Sequence, residues 1–232
     1  MRKTKYIAIL FAFITLAAFT TWANGNLFEN GFETDDFTGW TKTDAGSILS
    51  IVSTSGLSMI GNWCLKEIYN GTNSASIQSS TYTSSFSNYY VRFYFQTNTV
   101  NSTARIIGNM NDGGANVTVG LSASNDLRLV YQSTITCGSP IVANTTYRIE
   151  LHENINASTG GYELEVNGVS CGSDFSRNTS TYAPASFTLG SVSAYSSGVI
   201  FYYDQLGVGN VTWLGAYTAA TMAGGDMSNV DN

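Results

Sequence analysis

Basic residues are scarce in this 232-residue chain: 10 Lys and Arg face 16 Asp and Glu, and no lysine follows Lys66. Such a balance cannot neutralise a run of phosphates, which excludes nucleic-acid binding. Histidine occurs once, at His152, so few groups titrate near neutrality for acid–base chemistry. Only two prolines are present, and charge blocks are missing, which argues against a disordered or linker-like chain. Charged residues make up 11%, and past residue 23 no stretch keeps a helical period over three turns. The three cysteines, Cys64, Cys137 and Cys171, have no zinc-site spacing.

One apolar run stands out. Met1 to Lys5 is a basic start, Tyr6 to Phe19 is apolar, and Thr21-Trp22-Ala23 is a small-x-small cleavage site. That run falls short of the roughly 20 residues that span a bilayer. Residues 1–23 are therefore expected to be a removable signal and the protein to be secreted, with no membrane insertion afterwards. Loss of these residues moves the formal charge from −6 to −9. At the other end, residues 216–232 show no alternation and carry Gly224-Gly225, as expected of a loosely packed tail.

Between the ends, period-two alternation recurs. In Tyr90–Gln96, Val91, Phe93 and Phe95 point one way and Tyr90, Arg92, Tyr94 and Gln96 the other. Tyr147–His152 and Tyr162–Val166 repeat the pattern around a hairpin loop that ends in Gly160-Gly161. Shorter strands are expected at 47–52, 62–69, 75–79, 103–109, 115–121, 126–131, 186–191 and 199–209. Segments with one apolar face each must pack as two sheets. The expected fold is all-β, a two-sheet antiparallel sandwich of one domain over residues 24–215.

If Tyr147–Leu151 pairs with Tyr162–Val166 and Thr134–Cys137 folds back through Gly138-Ser139, then Cys137 and Cys171 meet at neighbouring strand ends. Export permits a disulfide there, leaving Cys64 unpaired; three free buried thiols are the alternative.

The start, Phe32-Glu33-Thr34-Asp35-Asp36-Phe37-Thr38-Gly39-Trp40, and the late strand Tyr202-Tyr203-Asp204-Gln205-Leu206 resemble those of secreted jelly rolls. These are the concanavalin A-like lectin/glucanase superfamily, its laminin-G-like members and carbohydrate-binding modules of similar outline. Thr146–Leu151 followed by Tyr162-Glu163-Leu164-Glu165-Val166-Asn167-Gly168 is similar to the paired strands of laminin-G-like domains. The resemblance implies a jelly roll whose first and last strands lie side by side near a structural calcium ion. Glu33 and Asp204 would be its ligands, with Asp44 as a helper, although Gln205 stands where a second Asp is usual.

The resemblance further implies sugar binding. Rings stack on the apolar face of a sugar while amides, carboxylates or guanidinium groups bind its hydroxyls. Tyr90, Arg92, Tyr94, Arg148 and His152 are the expected ligand-binding residues, beside the alternative of an ordinary two-toned strand face. The glucanase signature Glu-x-Asp-x-x-Glu is missing, and Glu163-x-Glu165 is its nearest match. The expected function is a secreted, non-catalytic glycan-binding module whose partner is a polysaccharide or glycoconjugate. The alternatives are a structural or adhesive surface or virion-associated protein that self-associates or docks on a surface partner, and a divergent polysaccharide-active enzyme.

Overall fold

The structure is a computed structural model that describes residues 25–82, 85–100, 103–111, 116–191 and 196–217. The expected signal, 1–23, lies outside the described residues, as does most of the expected tail.

Fifteen strands and no helix are found among the described residues. They are β1 (Asn26–Asn30), β2 (Trp40–Asp44), β3 (Leu49–Ser53), β4 (Trp63–Ile68), β5 (Ala75–Ser79), β6 (Asn88–Thr97), β7 (Arg105–Asn111) and β8 (Asn116–Leu121). β9 (Asp126–Tyr131), β10 (Ser133–Pro140), β11 (Tyr147–Asn154), β12 (Gly160–Val166), β13 (Val169–Arg177), β14 (Ser186–Ser191) and β15 (Ile200–Gly209) complete the set. One sheet runs β13-β12-β11-β6-β15-β4-β3, with β1 also on β15; the second runs β10-β9-β8-β7-β14-β5-β2. Every pairing is antiparallel, and the fold is the expected two-sheet sandwich.

Alternation builds the core. Val91, Phe93 and Phe95 of β6 and Ile149 and Leu151 of β11 face Val117, Val119 and Leu129 of the second sheet's strands, all at most 1% exposed. Each such side chain contributes about 1.5–3 kcal/mol by leaving water. Alternation gives no sign of β13, because Val169–Arg177 is rich in Ser and Gly and lies at a sheet edge, half exposed. Cys137 of β10 and Cys171 of β13 are joined in a disulfide with Cα atoms 4.7 Å apart. The bridge therefore ties the edge of one sheet to the edge of the other, while Cys64 is free and buried.

β15 changes partner midway. Ile200–Tyr203 pairs with β4, and Leu206–Gly209 pairs with β1, while β6 runs along the other side. The switch falls at Gln205, whose φ is 47°, within a register shift between Asp204 and Gly207. First and last strands thus lie side by side, and the ends of the described chain meet on one face.

Candidate functional site

The outer face of the first sheet carries the polar halves of β6, β11 and β12. Register places Tyr90 beside His152 and His152 beside Glu163. Tyr90 and His152 lie flat on each other, centroids 4.3 Å apart and planes 4° from parallel. Trp213, beyond β15, stands edge-on to both at 5.5 and 5.7 Å, and Phe175 of β13 lies 5.5 Å from His152. All four rings are half-buried, so each keeps a part in water. A shallow hollow of about 180 Å³ beside Trp213 is lined also by Asn26, Val211 and Leu214.

The cluster is electrically neutral. Burial lowers the His152 imidazole to about 4, so it is uncharged at neutral pH, with one ring nitrogen 2.9 Å from Asn88 Oδ1. Four uncharged rings rimmed by Asn88, Glu163 and Ser170 form a stacking surface with polar groups at its border, the combination that a sugar ring needs.

The rest of the expected stripe is placed differently. Arg92 and Tyr94 are only 4% and 8% exposed, and Gln96 is buried too. The chain after β15 turns back over them. Gly215 O accepts from Arg92 Nη1 at 3.4 Å, Tyr94 Oη accepts from Tyr217 N–H at 2.9 Å, and the Tyr217 ring lies 5.6 Å from the Arg92 guanidinium carbon. Arg92 also donates to Glu29 Oε1 of β1 at 2.8 Å. Arg92 and Tyr94 are thus roofed by residues 214–217, and an exposed stripe running the length of β6 does not exist. The first residues of the expected loose tail, up to Tyr217, are packed on the sheet for the same reason. Arg148 is half-buried, its Nε 2.8 Å from Glu150 Oε2, and Glu150 Oε1 accepts from Gly215 N–H. Of the expected ligand-binding set, Tyr90 and His152 come together at a surface, Arg148 is engaged with Glu150, and Arg92 and Tyr94 lie beneath the strap.

Two carboxylates remain beside the rings. Glu163 Oε1 accepts from Ser170 Oγ–H at 3.0 Å. Glu165 sits across from Glu150, and its carboxyl is raised by burial, then by the charges of Glu150 and Glu163, against a smaller opposing pull from Arg148.

Trp213 and Phe175 are the residues that sequence reading missed. Trp213 follows the last strand, and Phe175 sits in a strand with no hydrophobic period, so neither belongs to any sequence pattern that points to this face.

Glu33, Asp204 and Gln205 gather where β1, β4 and β15 meet. Asp204 is fully buried; its carboxylate accepts from the N–H groups of Ile60 and Gln205 at 3.0 and 2.8 Å. Burial pushes it up to about 9 against those two bonds, and the like charge of Glu33 adds to the rise. Glu33 accepts from Asn62 N–H at 3.0 and 3.2 Å, and the buried Gln205 Oε1 has no hydrogen-bond partner. Two carboxylates and an orphaned amide oxygen are hard oxygen donors suited to calcium, although the described residues hold no cluster of three or more acidic, His or Cys ligands. Asp44 is elsewhere, on β2 of the second sheet, paired with Lys42 at 3.0 Å and capping the N–H groups of Ile48 and Leu49.

A hollow of about 390 Å³ opens at the disulfide edge between Pro140, Tyr147, Val169 and Cys171. It offers a single aromatic ring and no carboxylate, so it is the poorer candidate despite its size.

No family model matches the chain, and no curated protein does. Solved structures do. A cellulose-induced protein, Cip1, aligns with a TM-score of 0.62 at 15% identity, over 82% of this chain and 100% of that one. Domain 4 of AbnA, an extracellular arabinanase of Geobacillus stearothermophilus, was solved with arabinotriose and aligns at 0.53 and 16%, over 85% and 97%. A botulinum neurotoxin type C structure, whose cell entry is described as dependent on two ganglioside molecules, aligns at 0.53 and 11%, over 79% of this chain and 45% of that one. At these identities the likeness establishes the sandwich fold.

Proposed function

We propose that this chain is a secreted, non-catalytic glycan-binding module of the concanavalin A-like, laminin-G-like kind. Its sugar stacks on the ring cluster of Tyr90, His152, Phe175 and Trp213. The observation that carries this reading is the convergence of four half-exposed rings from β6, β11, β13 and the segment after β15 on one open face. The solved neighbours add support, since one was seen with arabinotriose and another is tied to gangliosides. The inter-sheet disulfide agrees with an oxidising, extracellular setting. Glu163 and Glu165 lie on one face of one strand, but no third acid completes the glucanase pattern, and His152 is held neutral by burial. Those features favour holding a sugar over cleaving it.

Affinity electrophoresis against a panel of soluble polysaccharides tests the reading. At least one is expected to retard the protein, and Trp213→Ala and Tyr90→Ala are each expected to weaken that binding at least about fivefold, since a stacked ring is worth about 1–3 kcal/mol. Failure to bind across the panel, or full binding by both variants, would overturn it. Release of new reducing ends from a bound polysaccharide would overturn the non-catalytic part.

A structural calcium ion is the second element of this proposal. Glu33, Asp204 and the Gln205 amide oxygen would hold it, and its chemistry would be to neutralise two neighbouring carboxylates and staple the first strand to the last. The orphaned Gln205 oxygen supports that assignment.

A further inference from the structure

The charges around the ring cluster carry a further inference, which rests on the glycan-binding reading and names the class of glycan. We propose that the site takes uncharged glycan chains and rejects anionic ones, with Glu163 and Glu165 as the residues that set this selectivity.

Every basic side chain of the described residues bears on the ligand's charge. There are seven. Three are near the cluster or on its sheet's outer side, and each is spent on an acid: Arg92 on Glu29 at 2.8 Å, Arg148 on Glu150 at 2.8 Å and Arg177 on Asp174 at 2.6 Å. Arg92 is also sealed from ligand by Gly215 and Tyr217. Lys42 and Arg128 lie on β2 and β9 of the second sheet, and Arg105 is buried in the core on β7. Lys66 is on β4, in the row of Tyr202 and Gln96. Gln96 is six residues along β6 from Tyr90, about 20 Å away. Among the described residues no basic side chain therefore stands ready to meet a ligand carboxylate or sulfate at the rings.

The acids are placed the other way. Glu163 is the cross-strand neighbour of His152, and Glu165 is two residues further along the same outer face of β12. Among the described residues neither has a basic partner at ion-pair distance. The ring edge thus presents two negative charges beside a neutral stacking surface, and the pull of Arg148 on Glu165 is the smallest of the influences on that carboxyl. A uronate, sialate or sulfate docking on the rings would meet them at close range, where like charges cost about 1 kcal/mol or more even in a water-like medium. A neutral sugar meets only hydrogen-bond acceptors.

Polymer pairs that share a backbone and differ only in charge test the proposal. Hydroxyethyl cellulose against carboxymethyl cellulose is one pair, and methyl-esterified against de-esterified homogalacturonan is another. For any backbone that binds, the anionic member is expected to be at least about fivefold weaker in low salt. That gap should shrink in 0.5 M NaCl, where screening acts over a few ångströms. In the E163Q/E165Q double variant the ratio between the two members should likewise fall towards one. Equal or tighter binding of the anionic member by the wild type, with both members lost in Trp213→Ala, would overturn the selectivity and leave the glycan reading standing. No retardation by either member of any pair, or by the wider panel, would remove the glycan reading and this inference with it. If the double variant folds poorly, the single variants E163Q and E165Q replace it. Each should narrow the gap between the two members, and an unchanged gap in both would show that the overall negative charge, and not these two residues, sets the selectivity.

Discussion

Gly207 of β15 lies directly under Leu214: a Cβ built on Gly207 would stand 3.1 Å from Leu214 Cδ1 and 3.1 Å from Arg92 Nη2. Gly209 has the same relation, with Leu214 Cδ2 at 3.0 Å from its Cβ position. Two side-chain-free positions on one strand let the returning chain pack against the sheet and roof Arg92. Gly207→Val is expected to lift that strap and to destabilise the fold by about 1–3 kcal/mol, as overpacking does. Denaturant melts measure the loss, and faster proteolytic cleavage within 210–217 reports the lifted strap. Wild-type stability and cleavage in this variant would show that the strap is not seated on the strand.

Arg92 and Glu29 form an ion pair whose side chains are 4% and 7% exposed. Removing one partner leaves a buried, uncompensated charge, so Glu29→Ala should cost about 3–5 kcal/mol. Replacing both by methionine should recover most of that loss, because an apolar pair of similar volume needs no desolvation of charge. The double variant being as unstable as the single would contradict this account of the pair.

His152 gives a pH dependence of known sign. Its folded value of about 4 lies below the ordinary 6.5, so the folded protein refuses a proton that the unfolded chain accepts. The His152 contribution is whole above about pH 6.5 and declines as pH falls from 6.5 towards 4. It is opposite in sign to that of Asp204, whose raised carboxyl favours the folded state as pH falls below about 9. Asp174, held far below the ordinary carboxylate range by hydrogen bonds from Ser176 and Arg177, loses its own contribution only at more acid pH. Between pH 7.5 and 5 the wild type should therefore lose more stability than His152→Gln. Parallel curves would remove the assignment.

The disulfide closes a loop with a sequence separation of 34. On the chain-entropy account, replacing Cys137 and Cys171 together by serine should lower stability by about 3–4 kcal/mol. Denaturation of the oxidised wild type and the double serine variant measures it. Indistinguishable midpoints would show that the bridge adds little to what the two sheets already hold.

For the proposed calcium ion, thermal melts in calcium and in chelator should separate, with the calcium curve higher, since a ligand bound only by the folded state raises its melting point. Glu33→Gln should narrow the separation. Coincident curves for the wild type would withdraw the ion.

How much of this was legible in the chain depends on the kind of interaction. Period two gives away β6, β11 and β12 and the face each residue takes, because every strand must put one row of side chains against the core. It also puts Tyr90, His152 and Glu163 each on the polar face of its own strand, while the pairing of β6 with β11 that brings them to one side belongs to the tertiary structure. The pairing of Cys137 with Cys171 is readable once the hairpin of β11 and β12 is laid out. The serine-rich β13 is not, since an edge strand with water on one side needs no apolar row.

Composition and alternation by themselves determined the two-sheet sandwich and the shortage of free base that now bears on ligand charge. They could not say which outward residues stay outward. That was decided in three dimensions, by glycines 207 and 209 admitting Leu214 and by the chain end folding back through Gly215 and Tyr217 over Arg92 and Tyr94. The same return brings Trp213 to Tyr90 and His152 from more than 60 residues away. Burial of an outer face depends on what crosses it, and a crossing segment leaves no period in the strands beneath.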